Sequence, residues 1–103
     1  MKKILVVNAD VMAMLLGRAQ NPSIDAEVYS GNLSHVAELN PDLILLWAPY
    51  SAHVQDALRD ARQVNQKVLV ITDCPEQYQD SGVETIRNGN AGSIWDAIVP
   101  HLS

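Results

Sequence analysis

One cysteine, Cys74, is all the chain carries. It has no second cysteine with which to form an internal disulfide or a cysteine-based zinc site, and that suits a reducing compartment. Phenylalanine is absent, and the aromatics are limited to two tryptophans and three tyrosines, so the core must be built from Val, Ile, Leu and Ala. Positive charge is also scarce: seven Lys and Arg are scattered without a basic run, and the net charge is −5. Such a surface argues against gripping a phosphate backbone, and nucleic acid is not expected as a partner. Long apolar runs are missing too. Even the run Leu43 to Ala48 falls far short of the roughly 20 residues that cross a bilayer. Met1-Lys2-Lys3 leads straight into a strand pattern, so the expectation is a chain that is neither exported nor membrane-spanning, with a cytoplasmic location.

What is present is an alternation of two patterns within 103 residues, a length that suits one domain with one core, residues 1–103. Ile4-Leu5-Val6-Val7, Leu43-Ile44-Leu45-Leu46 and Val68-Leu69-Val70-Ile71 are apolar on both faces, as inner strands covered on each side must be. Ala26-Glu27-Val28-Tyr29 and Val83-Glu84-Thr85-Ile86 alternate in polarity and read as outer strands.

Helical spacing fills the intervals. Val11, Met12, Leu15, Leu16 and Ala19 form one stripe, with Asp10 placed to cap it and Asn21-Pro22 placed to end it. Val54, Ala57, Leu58, Ala61 and Val64 form a second, with Ser51 as its expected cap and Gln55, Asp56, Arg59, Asp60 and Arg62 on the wet side. A last helix is expected from Ser93, with Asp96 completing a capping box and Ile94, Ile98, Val99 and Leu102 inward. Weaker helices fit Leu33 to Leu39 and Glu76 to Asp80.

Strands alternating with helices over short connections give a parallel sheet, because each crossover lays its helix on a sheet face. The predicted fold is α/β: a three-layer α/β/α sandwich with a five-stranded parallel sheet in order 2-1-3-4-5, the flavodoxin-like arrangement. Ligands of such folds sit beyond the carboxyl ends of the strands. That directs attention to Asn8 to Asp10, Trp47 to Tyr50, Thr72 to Cys74 and Arg87 to Ser93.

Lys3 to Asp10, Pro41 to Trp47 and Val68 to Thr72 resemble strands one, three and four of the receiver domains of bacterial response regulators. The resemblance implies paired acids after strand one for magnesium, a phosphoacceptor aspartate ending strand three, a Thr or Ser ending strand four and a lysine ending strand five. Thr72 fits, and Asp10 can stand for one acid; Trp47 occupies the phosphoacceptor position, and Arg87 is the cation nearest the end of strand five. An indole has no oxygen to attack a phosphoryl group, and one carboxylate is a poor magnesium site. The resemblance therefore implies a pseudo-receiver: a non-catalytic regulatory or interaction module in signal transduction, with no metal and no cofactor, acting on a protein partner or by self-association. Asn8 to Leu16 and Leu45 to Pro49 are also similar to lactose- and cellobiose-class IIB proteins of the sugar phosphotransferase system. Their phosphate-carrying cysteine is replaced here by Val7 or Asn8, and the expected strand at Val83 to Ile86 exceeds their four.

Each candidate has two readings. Asp10 is a helix cap or a vestigial metal ligand, and Thr72 closes a strand or meets a phosphoryl oxygen. Trp47 fills the crevice or anchors a partner. Asn88 to Ser93, with Gly89 and Gly92, is a turn and cap or an anion-holding helix start, though its spacing matches no P-loop or dinucleotide fingerprint. Cys74 is an inert thiol or a reactive one. His35, His53 and His101 lack ligand spacing and read as surface residues. Tyr50, Tyr78 and Trp95 are interaction candidates, with helix packing as the alternative for Trp95. The candidate crevice is thus Asn8, Asp10, Trp47, Thr72, Gly89, Gly92 and Ser93. Its rival use is a small anion or phospho-ligand site in a carrier or enzyme subunit.

Overall fold

A computed structural model describes residues 1–20 and 23–102. Five strands, β1 (Lys2–Val7), β2 (Ala26–Gly31), β3 (Leu43–Trp47), β4 (Lys67–Thr72) and β5 (Glu84–Arg87), form one sheet in the order β2-β1-β3-β4-β5. Every pairing is parallel, with Ile4 beside Leu43, Leu43 beside Lys67 and Leu69 beside Glu84. This is the expected flavodoxin-like topology.

Side chains alternate across a strand, and here the alternation builds two cores. Ile4, Val6, Leu43, Leu45, Leu69, Ile71 and Ile86 face α1 (Asp10–Arg18) and α4 (Ala91–Ile98). Leu5, Val7, Ile44, Leu46 and Val70 face the other way, onto a layer that includes α2 (Val36–Leu39) and α3 (Val54–Arg62). The apolar stretches Ile4–Val7, Leu43–Leu46 and Leu69–Ile71 are the direct consequence, since both faces are covered there, while Lys2, Lys3 and Lys67 at the strand starts are exposed.

Several local expectations change. The first helix does not bury the stripe its spacing predicted: Ala13 and Leu16 are inward, Met12 is partly buried, and Val11, Leu15 and Ala19 are exposed. An inward line through small Ala13 brings the helix close to the sheet, and Val11 and Leu15 fall on its opposite side. Its cap position is Ala9, with Asp10 the first helical residue and no side-chain cap bond. Its end is at Arg18, with the Ala19 amide donating to the Leu15 carbonyl over 3.0 Å, while Asn21-Pro22 lies outside the described residues.

Ser51 does not cap the helix that follows it. It opens a 3₁₀ turn, and the His53 Nδ1 accepts the Tyr50 amide over 3.4 Å in a side-chain closure that a serine at that position would not make. His35 repeats the device on Asn32 at 3.2 Å, before α2. The span Leu33 to Leu39 is a 3₁₀ turn running into a single α-turn, and the fourth crossover is a 3₁₀ segment, Pro75–Tyr78, rather than an α-helix. Finally, α4 begins two residues before Ser93. Asn90 is its cap, its Oδ1 accepting the Ser93 amide over 2.8 Å, so Ser93 serves as the third helical residue and Asp96 has no part in a capping box with it.

Candidate functional site

Parallel strands all end on the same side, so Asn8, Trp47, Thr72 and Arg87 reach one rim of the sheet. Asn8 follows β1 at φ 67°, a left-handed conformation that asparagine tolerates better than most side chains. Two of the candidates share a cleft. Asn8 and Trp47 line a space of about 240 Å³ together with Leu46, Ala48, His53 and Asp56; Ala57 and Asp60 complete it.

The tryptophan at the end of β3 does two jobs at once. Its ring packs against the core on the α1 and α4 side and also frames the cleft on the α3 side. It therefore neither simply plugs the crevice nor leaves it open. Its Nε1 is buried and has no hydrogen-bond partner among the described residues.

Thr72 is fully buried, and its hydroxyl is committed locally. Oγ1 accepts the Cys74 amide over 3.0 Å and lies 3.3 Å from the Cys74 sulfur. The sulfur is also 3.8 Å from the Pro49 carbonyl, which accepts the Asp73 amide at 3.0 Å. With Ala48 donating to Ile71 and Asn88 donating to Thr72, at 3.0 and 3.2 Å, the loops after β3, β4 and β5 stay laced beyond the sheet proper. Thr72 lies beside Arg87 in the register, so the resemblance's threonine and nearest cation are neighbours across two strands.

The remaining candidates stand apart from the cleft. Asp10 accepts a hydrogen bond from Ser30 at the end of β2. Around α4 the loop is internally satisfied: the Ser93 hydroxyl donates to the Asn90 carbonyl over 2.9 Å, and a side chain on Gly89 would strike that hydroxyl. Of the three interaction candidates, Trp95 and Tyr78 are each only 1% exposed and belong to opposite cores, whereas Tyr50 is 63% exposed. Burial leaves Trp95 and Tyr78 no face to offer a partner; the helix-packing reading holds for Trp95.

Sequence reading missed the acidic wall of the cleft. His53, Asp56 and Asp60 lie on successive turns, from the 3₁₀ turn that precedes α3 through its first turn to its last. Their three- and four-residue spacing was visible, but it was indistinguishable from an ordinary wet helix face. Arg59 stands between the two carboxylates, 3.3 Å from Asp56 and 3.5 Å from Asp60. Among the described residues no group of three or more His, Cys, Asp or Glu is arranged to hold a metal ion. Among the described residues no helix is long and apolar enough to cross a membrane.

Chemically the rim offers little. Its hydroxyl and thiol are bonded to each other and to main chain, and the cleft's ionisable groups are two acids and a histidine at its margin. No family model, curated protein or solved structure matches this chain. The fold and its rim are thus the grounds for a functional reading.

Proposed function

We propose that the chain is a non-catalytic regulatory or protein-interaction module, a receiver-like scaffold without a phosphoacceptor, whose working surface is the outer face of α1. One observation carries this reading. Val11, Met14 and Leu15 are 65%, 47% and 42% exposed on adjacent turns of α1. Single exposed apolar side chains are ordinary, but a contiguous group on one helix marks a surface built to be covered. The contrast with α3 sharpens the point, because that helix turns Gln55, Asp56, Arg59 and Arg62 outward.

The rim supports the same reading from the chemical side. Where a receiver would place an attacking carboxylate, the chain has an indole with no nucleophilic oxygen. The Thr72 hydroxyl, which would meet a phosphoryl oxygen, accepts the Cys74 amide instead. The rival reading, an anion or phospho-ligand site in a carrier subunit, has weaker support. Asp56 and Asp60 line the cleft, and carboxylates repel anions. The Ser93 amide, the donor such a site would recruit at α4, is held by Asn90.

Incubation with acetyl phosphate and magnesium tests the reading directly. The expected result is an unchanged intact mass; a stable phosphoryl adduct overturns it. A second measurement addresses the surface itself. Replacing Val11, Met14 or Leu15 by Gln in dilute protein is expected to leave the unfolding free energy within about 0.5 kcal/mol of the parent, as for any residue outside the core. A loss above about 2 kcal/mol would mean that the face belongs to the fold and is not reserved for a partner.

A further inference from the structure

The pattern of charge around that same face points to its occupant: the geometry assigns α1 to an antiparallel contact with the α1 of a second copy of this chain. This rests on the reading of α1 as the working surface and names its partner. Val11, Met14, Leu15 and Arg18 follow one another at three, one and three residues and so share one side of the helix. That side lies opposite Ala13 and Leu16, which face the core.

A two-fold axis through the middle of this stripe sets Met14 of one copy against Leu15 of the other and Val11 against the aliphatic stem of Arg18. Apolar groups then meet at the centre, and the guanidinium at the end of one helix comes to the first turn of the other. Asp10 stands there, exposed and accepting only Ser30 among the described residues. Arg18 is likewise exposed and forms no ion pair among the described residues. Each copy carries an acid in the first turn of α1 and a base in the last, so the antiparallel arrangement satisfies two charge pairs at once. It also opposes the two helix dipoles. A parallel arrangement would set acid on acid and base on base.

Size predicts a weak complex. The nine residues of α1 extend only about 13 Å at about 1.5 Å per residue, and the net charge of −5 on each copy works against association. A transient dimer with a small interface is the expected outcome.

Sedimentation velocity from about 1 µM to about 1 mM covers the affinities such a contact can have. The parent chain is expected to pass from monomer to dimer in that range, and Met14→Lys is expected to stay monomeric. Asp10→Arg and Arg18→Asp, each alone, are expected to self-associate at least about tenfold more weakly, because each sets like charges together at both ends. An equimolar mixture of these two variants, and the D10R/R18D double variant, are expected to recover the parent's dimer. Recovery on mixing cannot come from a folding defect, and matching circular dichroism spectra check the fold of each variant alone. A parent chain that is monomeric throughout overturns the self-pairing, as does a dimer that both single variants retain. A monomer whose mass is unmoved by acetyl phosphate removes only the self-pairing, whereas a phosphoryl adduct removes the interaction reading at any oligomeric state.

Discussion

The indole nitrogen of Trp95 donates to the main-chain oxygen of Leu16 over 2.9 Å, joining residues 79 apart in the chain. The last carbonyls of a helix have no partner within it, and Leu16 lies in the final turn of α1. The neighbouring Leu15 carbonyl is taken by the Ala19 amide. Trp95 therefore satisfies an otherwise orphaned buried acceptor while filling the space between α1 and α4, and this bond sets the pose in which α1 shows its outer face.

Trp95→Phe keeps an aromatic ring but removes the donor and part of the volume. The expected loss is about 2–4 kcal/mol, combining an unsatisfied carbonyl with a small void. Urea unfolding followed by the fluorescence of the remaining Trp47 measures it. A loss below about 1 kcal/mol would mean that the bond does not hold the two helices.

At the rim the corresponding test is Thr72. Thr72→Val preserves shape but removes the acceptor of the Cys74 amide, which lies 3.0 Å away. The cost is expected at about 1–2 kcal/mol, and hydrogen exchange at the Cys74 amide should speed up. Thr72→Ser keeps the hydroxyl and should keep that amide protected. Equal exchange in both variants would show that the loop is held by other contacts, such as the Asp73 amide on the Pro49 carbonyl.

These two residues show how differently the chain discloses its parts. The sheet was legible because an inner parallel strand must be apolar on both faces, and Ile4 to Val7, Leu43 to Leu46 and Val68 to Ile71 satisfy that condition without ambiguity. Helix faces were not, because on α1 every position from Val11 to Leu16 is apolar. A stripe drawn through Val11 and Leu15 is as good by spacing as the one through Ala13 and Leu16 that the sheet selects. Caps failed for a related reason. Asp10, Ser51 and Ser93 are all chemically suitable, yet the cap position depends on where the backbone first turns, which the loops fix through Asn90 and the two histidines. The crevice position of Trp47 was legible from topology. Its double role was not, since the cleft exists only once α3 brings His53, Asp56 and Asp60 beside it.

Acid should expose one surface pair. Glu84 accepts a hydrogen bond from Lys67, and His101 Nδ1 lies 3.8 Å from its other oxygen. The hydrogen bond from Lys67 holds the Glu84 carboxyl below its usual 4.5, partial burial opposes that shift, and attraction to Lys67 and His101 reinforces it. A lowered folded-state value means stability that is fully present above about pH 4.5 and lost as the pH falls through the folded value. Glu84 is half exposed, so the contribution is expected at only about 0.2–1 kcal/mol. Glu84→Gln should trail the parent by that amount at pH 7 and match it at pH 3, and added salt should narrow the gap. A difference that does not vary with pH would assign the loss to packing instead of charge.

Alkali should expose a second group, in the opposite direction. Tyr78 is buried in the core between the sheet and α3, and its hydroxyl has no hydrogen-bond partner among the described residues. Burial raises its pKa above 10.0, and the neighbouring Cys74 raises it further. The fold thus favours the neutral phenol, so this stability is complete below pH 10.0, the unfolded value, and drains away as the pH climbs towards the folded one. Tyr78→Phe removes both the buried unpaired hydroxyl and the titration. At pH 7 it is expected to gain up to about 1 kcal/mol, because a desolvated polar group with no partner costs about that much or more. Above pH 10 its advantage over the parent should widen, as urea unfolding at a series of pH values would record. A variant that is less stable than the parent at pH 7 by about 1 kcal/mol would mean that the hydroxyl does have a bond to lose. Parallel curves through pH 11 would mean that the phenol titrates as freely in the folded chain as in the unfolded one.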